Sequence, residues 1–187
     1  MIKKYEINDL EMHKNINNEL KLLIEKYIYE LQIIKNHIDV KYINTLKINT
    51  SNKSENTKIL KTIKNDVPMI YIIRTNENIT IEEIESAKEK LKTEGFGMFR
   101  INCKEIPNDP NQSKCLYVGS SKKLRDRLKQ HIGLTSKTTY ALHLNEWWRN
   151  KKIEIEIYEI IDFDNMQLYE DCLWQANKPI LGREGKR

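Results

Sequence analysis

Three short runs rich in β-branched residues constrain this chain more than any other feature: PMIYIIR at 68–74, KCLYVG at 114–119 and KIEIEIYEII at 152–161. The first two are continuously apolar, as buried strands are. The third sets Ile153, Ile155 and Ile157 against Glu154, Glu156 and Tyr158, the alternation of a strand with one exposed face. Helical punctuation lies between and after them. Thr80 caps TIEEIESAKEKLKTEG, with Glu in its first turn, Lys in its last and Gly just beyond. GMFRINCKEI (97–106) reads as a further strand and PNDPNQ as a loop. Ser120 or Ser121 caps a helix from Lys122 to about Ile132 that Gly133 ends. A second helix is expected at about 139–150, and a last one runs from Asp164 or Asn165 to about Ala176, followed by an extended basic tail, NKPILGREGKR. Short strands interleaved with helices give an α+β domain, a small mixed sheet covered by helices.

Ahead of this domain, residues 5–39 repeat apolar side chains at spacings of three and four, from Ile16 and Leu20 to Ile34 and Ile38. That is an amphipathic helix, or two, packing on a neighbour without a strict heptad. Residues 44–66 are polar and unpatterned and read as a linker with a short helix at 57–64. The expected division is therefore 1–66, helical extension and linker, and 67–187, the functional domain. No run of eighteen apolar residues exists, and the N-terminus has no apolar signal core. Three cysteines without a CxxC spacing argue against a disulfide framework or a zinc site. A cytoplasmic protein is the expectation, with no membrane partner.

Charge is segregated. Residues 113–152 carry ten Lys/Arg against Asp126 and Glu146, while 153–177 carry seven acids and no Lys or Arg. A basic surface of this kind suits a phosphate backbone. Within it, Arg127 and His131 are four apart on one helical face, pairing a permanent planar cation with a group that titrates near neutrality. Glu170 stands at the edge of the packed face of the last helix, marked by Met166, Tyr169, Leu173 and Ala176. A desolvated carboxylate there needs a cation, from a side chain or a metal. Tyr71 and Tyr117 each sit within an apolar strand, where their hydroxyls need partners.

Taken in order, MIYIIR, LYVGSS, Arg-x-x-x-His and a helical Glu ahead of KPILG resemble the GIY-YIG nuclease superfamily over residues 68–182. The resemblance implies a mostly antiparallel, three-stranded central sheet flanked by helices. It implies catalytic roles for Tyr71, Tyr117, Arg127, His131 and Glu170, with Glu170 holding Mg²⁺ or Mn²⁺. Either tyrosine could serve the attacking water. Lys122, Lys123, Arg125, Lys129, Lys178 and Arg183 would then contact DNA. The two tyrosines lie 46 residues apart, where the family spaces them by about ten, so an insertion at about 75–113 would lengthen the hairpin. The family's first glycine is Met69 here, and its Asn after the final proline is Gly182. With its insertion and helical extension, the chain looks most like the type II restriction endonucleases of that superfamily. Those imply double-strand breaks in double-stranded DNA, made by a homodimer or higher oligomer. A mobile-element or phage-defence nuclease of loose specificity is the alternative, or a DNA-binding module without catalysis.

Overall fold

The computed structural model describes residues 17–29, 32, 40–106, 113–161 and 163–182. The chain divides into two compact units, 1–38 and 39–187. In the first, residues 17–29 are helical (α1) and exposed along their length. Its apolar stripe, Leu20, Leu23, Ile24, Tyr27 and Ile28, is exposed with it.

The second unit is built on four antiparallel strands: β1 (Val40–Asn49), β2 (Met69–Thr75), β3 (Lys114–Ser121) and β4 (Lys152–Ile160), in the order β1-β4-β2-β3. The expected three strands are therefore joined by a fourth. β1 escapes sequence reading because only Leu46 and Ile48 of its hydrophobic residues are fully buried, and the rest of VKYINTLKIN looks like linker. α2 (Lys53–Lys61) fills the remainder of that stretch. β2 lies inside the sheet, and Arg74 is its one residue that is not fully buried.

The connection from β2 to β3 carries α3 (Ile81–Thr93), which opens with the expected Thr80 cap in a capping box with Glu83. Residues 97–106 form no strand and make a single bridge, Ile101 with Leu181. The reason lies at the tail. Ile180 N and Leu181 N donate to Cys115 O and Leu116 O, at 3.0 and 2.9 Å, so the tail occupies the free edge of β3. The 100–102 segment then pairs with the tail, through Asn102 N to Ile180 O at 2.8 Å and Gly182 N to Arg100 O at 2.9 Å. Within the expected extended tail, residues 179–182 are buried.

α4 (Leu124–Ile132) buries Leu124, Leu128, His131 and Ile132 and ends at Gly133 in the left-handed region, φ 92°. The helix expected at 139–150 shrinks to α5 (Leu144–Trp147). Residues 138–143 instead turn back over α4, and His143 sits at φ 49°. α6 (Met166–Asn177) packs on β3. Tyr169 and Asp171 are its buried residues, and Ala176 is exposed rather than packed.

The main core lies on one sheet face. It joins Tyr71, Ile73, Leu116, Ile153, Ile155 and Ile157 to side chains of α2, α3 and α4. Ile72, Cys115 and Val118 form a smaller cluster on the other face with Leu173 and Trp174 of α6.

Candidate active site

Strand pairing explains how two tyrosines come together on one face. Tyr71 stands opposite Gly119, and Ile73 opposite Tyr117. Because residues two apart in a strand share a face, the rings of Tyr71 and Tyr117 become diagonal neighbours over the space that Gly119 leaves open. They stack with centroids 5.9 Å apart and planes at 22°. A Cβ on Gly119 would lie 2.5 Å from Tyr117 Cε1 and 2.8 Å from Tyr71 Oη, so any side chain there displaces the pair. Gly182 does the same from the other edge of the ring. Its Cβ would fall 2.7 Å from Tyr117 Cε2, and its φ of +108° suits glycine alone. Gly182 is thus fixed by Tyr117.

α4 brings the helix residues to the same place. His131, fully buried, lies against both rings, 4.5 Å from that of Tyr117 and 5.7 Å from that of Tyr71. Its Nδ1 accepts from Leu142 N at 3.3 Å, which leaves the proton on Nε2, and Nε2 donates to Tyr71 Oη at 2.8 Å. Burial, then Arg127 and His143, hold this imidazole well below the usual 6.5. It is neutral at pH 7, with both nitrogens engaged. The proton exchange near neutrality that its residue type predicts is therefore absent, because desolvation disfavours the cation.

Tyr71 is also fully buried, and burial and then Tyr117 push its phenol well above 10, against a smaller pull from Arg127. Arg127 is half-buried. Its Nη1 donates to Gln130 Oε1 and Tyr140 O, both at 2.9 Å, and its Nη2 reaches Tyr117 Oη at 3.5 Å. Burial works against its charge, but the phenols of Tyr71 and Tyr117 more than offset that and raise its pKa.

Glu170 reaches the group from α6. Ser120 Oγ, next to Gly119, donates to its Oε2. Burial raises its pKa above the usual carboxylate value, while the Ser120 hydroxyl pulls the other way. No cluster of three metal-ligating side chains occurs among the described residues.

A cleft of about 370 Å³ opens beside these residues, lined by Tyr117, Arg127 and His131 and also by Arg100, Tyr140 and Gly182. Neither Tyr71 nor Glu170 is among its lining residues. Tyr71, Tyr117, Arg127 and His131 are therefore brought into direct contact, with only Tyr117 of the two tyrosines open to a ligand, and Glu170 lies near enough to Tyr71 and Arg127 to feel their charge. Residues 96–181 match the GIY-YIG catalytic domain. That match points to an endonuclease. It contains Tyr117, Arg127, His131 and Glu170, whereas Tyr71 precedes it and is tied to the GIY-YIG group by geometry alone. No curated protein and no solved structure matches the chain.

The cations expected to touch DNA are placed less uniformly. Lys122, Lys123 and Lys178 are exposed. Lys129 pairs with Asp126 at 3.3 Å. Arg125 directs its guanidinium to the carbonyl of Ile63, past the end of α2, with Nε at 3.1 Å. Arg183 lies outside the described residues.

The sequence reading missed Arg100, Tyr140, Leu142, Ser120 and Gly182 as parts of the site. Several of these act through backbone atoms, which no residue pattern reveals. The Thr138-to-His143 turn is the clearest case. Tyr140 O holds Arg127, Leu142 N holds His131, and His143 Nε2 closes the turn on Thr139 O at 2.8 Å.

Proposed function

We propose that the chain is a divalent-metal-dependent DNA endonuclease that hydrolyses phosphodiester bonds at the Tyr117–Arg127 cleft. The observation that carries this reading is the hydrogen-bonded set of Tyr71, His131, Tyr117 and Arg127 at a cleft, with Glu170 held beside it by Ser120. Hydrolysis needs an oriented nucleophile, charge neutralisation at phosphorus and help for the leaving oxygen.

Tyr117 is the phenol that reaches the cleft, so it orients the attacking water; as the phenolate, its own proton already released to solvent, it takes the water's proton and returns to the neutral phenol. Arg127 stabilises the phosphate oxygens as charge builds, and its cation beside the Tyr117 oxygen favours the phenolate that acts before the proton is transferred. Tyr71 and His131 are positioning residues. Buried and neutral, they fix the Tyr117 ring by stacking and by their own hydrogen bond. One half-buried carboxylate suits an ion of the Mg²⁺ kind, which keeps several waters and takes other ligands from the substrate phosphate. Glu170 would hold it, and when bound it supplies Lewis-acid help to the phosphate and the leaving oxygen. Lys122, Lys123, Lys129 and Lys178, with Arg183, would contact the flanking backbone.

We assign the chain further to the type II restriction endonucleases, acting as a homodimer on double-stranded DNA, since one such site cuts one strand. The long β2–β3 connection and the helical segment before β1 support that assignment as candidate base-reading or dimer-forming parts. The catalytic part is proposed to begin at residue 67, with an insertion at 75–113, and β1 and α2 before it add to its sheet and core.

The test is incubation with phage DNA and Mg²⁺, with Arg127→Ala alongside. Discrete fragments that vanish with EDTA and in the variant are expected. A smear would sink the restriction assignment alone. Cutting by Arg127→Ala at the normal rate would sink the site.

A further inference from the structure

The cleft is larger and more apolar than a phosphate requires. At about 370 Å³ it has the size of cavities that hold small organic ligands. Met98 and Phe99 line it from the β2–β3 connection, and Ala141 and Leu142 from the turn before α5. Two side chains on this cleft have no task in the chemistry derived above. Tyr140 is 71% exposed, the highest value among the exposed large hydrophobic residues described. Arg100 is exposed as well.

Both are nonetheless mounted on fixed backbone. Tyr140 O is held by Arg127 at 2.9 Å, and Arg100 O by Gly182 N at 2.9 Å. An aromatic face with a neighbouring guanidinium, tied to the two elements that hold Tyr117 and Arg127, is a nucleobase-stacking arrangement. A paired duplex keeps its bases stacked inside and offers its backbone alone, which would leave the apolar walls unfilled.

Resting on the nuclease reading above, we infer that this cleft takes the unstacked base of a nucleotide adjoining the scissile phosphate. The base lies on the Tyr140 ring and Arg100 contacts the neighbouring phosphate. The substrate is then DNA with an unpaired nucleotide at the cut, either unpaired beforehand or drawn out of its stack on binding.

The test is equilibrium binding in EDTA, where no cleavage intervenes, by fluorescence anisotropy. Three short DNAs are compared: a paired duplex, the same duplex with one bulged adenine, and one with an abasic residue in the bulge. The bulged adenine is expected to bind about ten-fold more tightly than the abasic bulge. Tyr140→Ala should erase that difference and Tyr140→Phe should retain it. Arg100→Ala should weaken binding of both bulges alike. Equal affinity for the adenine and abasic bulges overturns the inference, as does an undiminished preference in Tyr140→Ala. Failure of the nuclease reading looks different, because the adenine preference would persist while Mg²⁺ produced no cutting of any of the three DNAs.

Discussion

Replacing Tyr71 and Tyr117 separately by Phe should divide stability from catalysis. In Tyr71→Phe, His131 keeps its Nδ1 bond from Leu142 N, so Nε2 still carries the proton. That N–H, 2.8 Å from the lost oxygen, is then buried without an acceptor. Leaving a buried donor unmade costs about 1–3 kcal/mol. Loss of the phenol's own desolvation offsets part of this, so a net of about 2 kcal/mol is expected. For a unit of roughly 150 residues that lowers Tm by about 4–8 °C.

In Tyr117→Phe the lost contact is 3.5 Å from Arg127 Nη2 and faces the cleft, where water replaces it. Less than about 1 kcal/mol of stability is at stake. Cleavage should nonetheless fall by about 10²–10⁴-fold, the usual worth of a positioned proton acceptor. Thermal unfolding followed by circular dichroism without metal, alongside single-turnover cleavage with Mg²⁺, reads both quantities. The reasoning fails if Tyr71→Phe melts with the wild type. It fails equally if Tyr117→Phe is the less stable variant and still cuts normally.

Four further outcomes follow from the structure. Gly182→Asn should lose about 2 kcal/mol or more in urea unfolding and cut slowly, since φ is +108° and the new Cβ would lie 2.7 Å from Tyr117 Cε2. Arg125→Ala should lose about 1–2 kcal/mol of stability through the Ile63 carbonyl while leaving the salt dependence of DNA binding near that of the wild type. Lys123→Ala should instead lower the salt slope by about one. For pH, the folded pKa of His131 is depressed, so the unfolded chain binds the proton first. Stability is then complete above about pH 6.5 and falls below it by about 1.4 kcal/mol per unit for this group, with His143, also depressed, adding to the slope. His131→Gln should show a shallower acid slope in urea titrations. A slope equal to that of the wild type would mean that His131 is protonated in the folded protein.

Much of the site was legible because it rests on side chains in sequence order. Tyr71, Tyr117, Arg127, His131 and Glu170 each sit on the expected strand or helix. What hid was of two kinds. β1 looks polar because four of its residues beyond Val40, Lys41 to Asn44, face solvent, and its place is set by pairing with β4 and not by its own composition. The turn at 138–143 looks helical by pattern, yet its carbonyls and amides are taken by Arg127 and His131, whose positions are fixed a helix away. His131 was misread in its chemistry for the same reason. Its residue type says that it titrates, and only the packing of Tyr71, Tyr117 and Leu142 around it says that it does not.

The two glycines that clamp Tyr117 belong to β3 and to the strand-like tail after α6, 63 residues apart in the chain. A ribosome therefore releases both tyrosines, Arg127 and His131 well before it releases the second jaw of the clamp. Until residues 180–182 have paired with Cys115 and Leu116, the Tyr117 ring leans on Tyr71 and His131 without the second jaw of its clamp. The fold thereby delays the final setting of the Tyr117 ring until the chain beyond α6 is in place.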